Sequence, residues 1–446
     1  MSSDEAATAR DENVHRHVIP PSYTKIPGHP GNGRREWRSL CHAGSSFRQE
    51  TDKTNRVVTS SRGRMLDVRI DKEGRMRSTA SPPALPWTDG VRALACAAVI
   101  VWHVVLTVRS AAGLGSTAIV TALGGLAHSA VLVFIVLSGY LLGRHWRGGA
   151  ILPQTWLFVR RRTWRLVPTY WAALLLTLGT MVALGLDHPG GTHWDVGLPV
   201  SWGRTVLNFL MLTDIAGIAT FSHPMWTVPF EYHLYLLAPL IAVLRSRSAA
   251  LALGGLLVLL IALSGPPEHM PPFLGLSFVL AFSTGLRRQG MERPSAGLVA
   301  REVLPTVLLG GALVLATGGV LQEGASRYLA LDAVLTPVVV GLLLLGDLGP
   351  GTDPARRALA SAPLRWIGHR SYSIYLLHGV VIEALWRFVV APLPDPSIAL
   401  DVLLLTILSA AMSGVLGELL FRTVEQPTAR RSAQVGRRPR VPVGVA

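Results

Sequence analysis

The sequence predicts an all-α polytopic membrane protein with about ten transmembrane helices and both termini cytoplasmic. Three observations predict it. Charged residues are 15% of the 446-residue chain, against roughly 25% in soluble globular proteins. Hydrophobic residues make up 50% and mean hydropathy is +0.39, more apolar surface than a soluble fold of this length covers. From Val91 onward, stretches near the ~20 residues that cross a bilayer recur with short polar interruptions. A single soluble enzyme is excluded on these grounds. Cys41 and Cys96 lie far apart and are the only cysteines, so no disulfide framework, cysteine metal cluster or other metal site is expected. The formal charge of +15 does not signal nucleic acid, because arginines gather at the ends of apolar stretches, where positive charge sets membrane orientation.

Residues 1–85 differ in kind from the rest. They hold all three lysines, Lys25, Lys53 and Lys72, with many Ser, Thr, Asp and Glu. They show no apolar periodicity and no secretory signal, so they read as a disordered or over-extended amino-terminal segment, with Met65 and Met76 as alternative starts. Residues 86–427 form the transmembrane domain, and 428–446 a basic cytoplasmic tail.

Ten apolar spans follow in order: 91–108, 121–143, 166–186, 225–244, 249–264, 271–286, 302–321, 328–345, 366–389 and 399–421. Gly265-Pro266-Pro267 reads as a tight hairpin between the fifth and sixth, and 205–220 as a weaker, re-entrant or surface stretch. Arginines alternate between the interruptions. Arg144, Arg147, Arg160, Arg161, Arg162 and Arg165 separate spans two and three, and Arg245 and Arg247 separate four and five. Arg287, Arg288, Arg293 and Arg301 separate six and seven, and Arg356, Arg357 and Arg365 separate eight and nine. The intervening loops hold only stray arginines such as Arg109, Arg204 and Arg327. Cytoplasmic loops are the Lys/Arg-rich ones, so both termini are cytoplasmic, as an even number of spans requires.

Ionisable side chains inside spans cost at least ~2.5 kcal/mol each, so they are functional candidates by default. Arg92 and His103 share one face of the first span, about three turns or ~16 Å apart. Arg92 also fits a snorkelling topology anchor, and His103 a packing residue. In the fourth span Glu231 has Tyr235 one turn away, and Pro229 predicts a kinked polar wall. Ser371, Tyr375 and His378 stand at i, i+4 and i+7 of the ninth span, a stripe that also suits helix packing. Arg162 and Arg165, one turn apart, match either a phosphate clamp or a positive-inside anchor.

These segments together resemble the integral membrane acyltransferase type 3 superfamily, over about Trp87 to Pro427. The resemblance rests on Asp89-Gly90-Val91-Arg92 followed by His103, on Phe134-Ile135-Val136-Leu137-Ser138-Gly139, and on Arg161-Arg162-Thr163-Trp164-Arg165. It continues through Trp226-Thr227-Val228-Pro229-Phe230-Glu231, Ser371-Tyr372-Ser373-Ile374-Tyr375-Leu376-Leu377-His378 and Val424-Glu425-Gln426-Pro427. Thr88, Pro229 and Gln426 depart from the usual residues of those motifs.

The resemblance implies an O-acyltransferase in a bacterial plasma membrane, with acyl-CoA, expected as acetyl-CoA, as co-substrate and no bound cofactor. The acceptor is expected to be a hydroxylated sugar or glycoside. It implies His103 as general base assisted by Glu231, and Arg92, Arg162 and Arg165 on the coenzyme A phosphates. Ser138, Tyr235, Ser371, Tyr375 and His378 are then candidates for the substrate cavity. A transporter or flippase of a glycan or lipid-linked substrate is the competing class, because it too places His, Glu and Arg in the membrane.

Overall fold

The computed structural model describes residues 84–115, 117–146, 151–243, 272–288, 323–348, 353–394 and 397–436, isolated helical positions between 297 and 308, and four strands nearer the amino terminus. The chain divides into two units, Met1–Ser81 and Pro82–Ala446.

In the first unit, β1 (Arg48–Asp52), β2 (Asn55–Thr59), β3 (Met65–Ile70) and β4 (Met76–Ser78) pair in sequence order as an antiparallel meander. These strands lie within 1–85, the segment expected as disordered or over-extended. Leu66, Val68 and Ile70 alternate with Asp67 and Arg69, a strand signal confined to six residues and submerged in the charged composition around it.

The second unit is helical. Its elements are α1 (Trp87–Ala111), α2 (Ala118–Arg144), α3 (Ile151–Leu184), α4 (Trp202–Phe209), α5 (Thr227–Val243), α6 (Pro272–Arg288), α7 (Glu323–Leu348), α8 (Pro354–Leu359), α9 (Ala362–Leu385), α10 (Ile398–Leu420) and α11 (Gln426–Gln434). Six described helical stretches are long and apolar enough to cross a bilayer: α1, α2, Gln154–Leu184, Ala330–Leu348, Ala362–Val390 and Ile398–Gln434. The 17-residue helices α5 and α6 coincide with the fourth and sixth expected spans. The fifth span with its hairpin, and most of the seventh, lie outside the described residues. The weak stretch at 205–220 contributes only the end of α4, followed by turns.

Local chemistry sets the helix ends. Thr117, Ser201 and Ser397 each accept a backbone N–H of the helix they precede, and Asp353 does so ahead of Pro354. The chain leaves α1 through Gly113, at φ 66°. Small residues then set how closely helices approach. A Cβ at Gly139 or Gly143 of α2 would strike the carbonyls of Phe278 or Phe282 on α6, and one at Gly368 of α9 would strike the backbone of Asp89 on α1. Ser138-Gly139 therefore has a packing duty whatever else it does.

The arginines converge by the same folding. Arg144, 2% exposed, donates to both carboxylate oxygens of Asp347 on α7 at 2.6 and 2.9 Å, and Arg288 of α6 lies 3.0 Å from the same carboxylate. Asp89 near the start of α1 meets His369 of α9, while Arg161 of α3 donates to the carbonyl of Val435 beyond α11. The arginine-bearing ends of α1, α2, α3, α6 and α9 thus share one end of the bundle with the Asp347 end of α7. The opposite end carries the segment 187–223 and the π-helical turn Trp386–Val390. Of the basic tail, α11 packs on α3, with Ser432 donating to the Arg161 carbonyl and Arg431 over the Trp164 ring.

Candidate active site

Eight of the ten singled-out residues line one cavity of about 500 Å³ at the arginine-rich end: Arg92, Ser138, Arg162, Arg165, Glu231, Tyr235, Ser371 and Tyr375. They come from α1, α2, α3, α5 and α9, so no single segment forms the site. Arg92 is held by Asp89 at 3.3 Å, whose other oxygen receives His369 at 2.9 Å. The Arg162 guanidinium lies over the rings of Tyr235 at 5.3 Å and Phe158 at 5.7 Å. Tyr235 donates its hydroxyl hydrogen bond to Glu231. Glu425 adds a third carboxylate to the wall, beside Asp89 and Glu231, accepting from Ser373 at 2.5 Å. Pro229 does not kink α5: it stands in the first turn, directly after the 3-10 turn His223–Trp226, where its missing N–H leaves no helical hydrogen bond broken.

The other two, His103 and His378, meet each other. Both are buried, 6% and 0% exposed, and His103 Nδ1 lies 3.1 Å from His378 Nε2. The tautomers follow from a third group. His378 Nδ1 lies 2.6 Å from the Tyr375 carbonyl, which only accepts, so Nδ1 carries a proton. In a neutral imidazole Nε2 is then the acceptor, His103 donates to it from Nδ1, and the lone pair of His103 rests on Nε2. A histidine oriented by a hydrogen-bonded partner, with its second nitrogen basic, is what proton abstraction from a hydroxyl requires.

Two further histidines complete the cluster. His193 and His223 place their ring centroids 5.9 Å from that of His103, and Trp194 lies at 5.4 Å. Both come from the segment between α3 and α5. Sequence reasoning passed over His193 and Trp194. The signal available was a His-Trp pair directly after Gly190-Gly191-Thr192, at the end of a span. Among the described residues, no group of three or more His, Cys, Asp or Glu is arranged to hold a metal ion.

The cavity and the cluster are adjoining compartments. Glu231, expected behind His103, hydrogen-bonds Tyr235 in the cavity, and the group that orients His103 is His378. Tyr375 links the two: it lines the cavity, its hydroxyl is 3.1 Å from that of Thr227, and its ring centroid is 5.4 Å from that of His378.

Residues 85–417 match the acyltransferase domain family, a range that includes all ten singled-out residues. The chain is 27% identical to acyltransferase MdmB of Streptomyces mycarofaciens, over 78% of this chain and 92% of that protein. It is 22% identical to peptidoglycan O-acetyltransferase OatA of Listeria monocytogenes, over 77% of this chain and 55% of that one. No solved structure matches the chain at a significant level. With the family region spanning most of the membrane helices, the cavity and the His103–His378 pair, the chain belongs to the type 3 acyltransferase family and is an integral membrane enzyme that transfers acyl groups.

Proposed function

We propose that the reaction is O-acylation: an acyl group, acetyl in the simplest case, passes from acyl-CoA to a hydroxyl of a sugar or glycoside, with His103 as general base. The observation that carries this is the hydrogen-bond chain Tyr375 carbonyl to His378 to His103, which puts the lone pair of His103 on Nε2, in a cluster joined through Tyr375 to a cavity walled by three arginines. Arg92, Arg162 and Arg165 suit the phosphates of coenzyme A, Arg162 and Arg165 as two-pronged donors. From Arg92, eleven residues of helix, ~16 Å, lead to His103, within reach of an extended pantetheine arm that passes Tyr375. His103 Nε2 takes the proton of the acceptor hydroxyl as its oxygen attacks the thioester carbon. The C–S bond then breaks, and the imidazolium returns the proton to the departing thiolate. Transfer in a ternary complex needs no covalent enzyme intermediate.

The arginine-rich end is assigned to the cytoplasm by the positive-inside rule, which places both termini there and brings the donor from the cytoplasm. Relatives in Streptomyces and Listeria support a bacterial plasma membrane. Acyl transfer uses residues from α1 onward, and the amino-terminal unit is assigned no part in it.

The test incubates membranes containing the full chain with [14C]acetyl-CoA and cell extract. Label should enter an alkali-labile ester with wild type and not with His103→Gln. Equal labelling by both would overturn the reading.

A further inference from the structure

His193 presents an imidazole held by everything except its own nitrogens. Its ring stacks on His103, centroids 5.9 Å apart and planes 11° apart, and packs 4.1 Å from the Trp194 ring. Its backbone N–H donates to Ser110 Oγ at 3.1 Å. On one side Thr192 donates to Glu383 at 3.0 Å, and on the other Trp194 donates to Thr107 at 3.0 Å. Asp195 accepts the amides of Gly190 and Gly191 at 2.9 Å each and faces Arg387 at 3.6 Å. Yet both ring nitrogens of His193 are buried with no hydrogen-bond partner in the protein. Buried polar atoms are nearly always paired, so nitrogens clamped in place and left unpaired, beside the proposed base, point to a partner from outside the chain.

The chemistry of that partner follows from the ring. A neutral imidazole offers one donor and one acceptor, the complement of a hydroxyl, and lacks the convergent donors that a phosphate or carboxylate requires. The arginines that suit an anion line the other compartment.

We propose that His193 binds the acceptor hydroxyl, and that a neutral, hydroxyl-bearing acceptor reaches the cluster from the end carrying segment 187–223, opposite the arginine cavity. One His193 nitrogen donates to the hydroxyl oxygen, which turns the hydroxyl proton toward His103 Nε2 and a lone pair toward the thioester. This rests on the reading of His103 as base.

The test uses the purified full chain in lipid nanodiscs with [14C]acetyl-CoA, varying cell extract as the acceptor source at saturating donor. His193→Phe keeps the stacking ring and removes both nitrogens; His193→Asn restores a donor and an acceptor. The Phe variant should raise the extract concentration for half-maximal transfer about tenfold, a loss typical of one substrate hydrogen bond. It should bind labelled acetyl-CoA as wild type does in equilibrium dialysis, with an unchanged or raised thermal midpoint, because two unpaired buried nitrogens are gone. The Asn variant should recover part of the acceptor dependence. Wild-type acceptor dependence in the Phe variant, or parallel loss of acetyl-CoA binding and thermal stability in both variants, overturns the proposal. His103→Gln run alongside separates the failures: transfer retained by that variant removes the base itself, whereas transfer lost there but untouched in His193→Phe removes only the acceptor site.

Discussion

The two compartments along α1 are built on opposite principles. Around Arg92 the walls stand apart: about 500 Å³ is bounded by residues of α1, α2, α3, α5, α9 and α11 and of the turn Phe421–Glu425, with three arginines set among Asp89, Glu231 and Glu425. Around His103 the rings touch, with centroid separations of 4.1 to 6.4 Å among His103, His193, His223, His378 and Trp194, and no arginine belongs to the group. A roomy, charged compartment suits a large anionic ligand that must enter and leave. A tight, uncharged one suits a single small group held in one orientation, where a displacement of 1 Å costs rate. The contrast argues that donor and acceptor are recognised by separate parts of one helix bundle, and substitutions in each part should disturb different kinetic constants.

The largest effect belongs to the cluster. His103→Gln retains similar size and hydrogen-bonding capacity but cannot take a proton near neutral pH, so transfer should fall ~10² to 10⁴-fold while acetyl-CoA binding is unchanged. Rate measurements at saturating donor, paired with equilibrium dialysis, check this. A loss of donor affinity equal to the loss of rate would mean the compartments are not separate.

On the cavity side, Arg162→Lys and Arg165→Lys keep the positive charge, and with it the topology, but lose the planar fork. Each should raise the KM for acetyl-CoA about tenfold, roughly 1.4 kcal/mol, with acceptor dependence unchanged. Unchanged donor kinetics in both variants would reduce these arginines to membrane anchors. Glu231→Gln sharpens the contrast further. Gln still accepts from Tyr235, while the cavity loses a negative charge that opposes phosphates, so acetyl-CoA should bind about threefold tighter and the acid limb of the pH–rate profile should stay in place. If turnover falls and the acid limb moves, Glu231 supports His103 after all and the division between compartments fails.

These two regions were not equally legible in the sequence. Arg92, Arg162, Arg165 and Glu231 stood out because a charge in an apolar run is costly and needs a reason. That rule has no purchase on His193 or Trp194, which lie in a polar segment after Gly190-Gly191, where a histidine carries no penalty. His378 was visible as the end of a stripe, but its partner was not. The meeting of residues 103 and 378 depends on α1 and α9 lying side by side, and no local pattern encodes a contact 275 positions apart. Arg144 has a second duty that its place at the end of a span does not show: it is buried against Asp347. Span-by-span reading matches the described helices because each needs only its own hydropathy, and misses what two helices make together.

The smallest expected effect concerns stability rather than rate. His193 lies outside the membrane-spanning segments, and burial, then the neighbouring His223 and His378, push its imidazole from the usual 6.5 down to about 3. The unfolded chain therefore binds a proton at this position between those values while the folded chain does not. Stability from this residue is complete above pH 6.5 and is lost progressively as pH falls toward 3. Lowering the pH from 7.5 to 6 should cost wild type about 0.8 kcal/mol through His193 alone. The His193→Phe protein has no such group, so its thermal midpoint should fall less over the same interval, with every other titrating residue common to both. Thermal scans in nanodiscs at the two pH values measure the difference between differences. Equal falls would mean His193 is hydrated enough to take its proton in the folded state, and the cluster would then be an open, wet compartment like the cavity beside it.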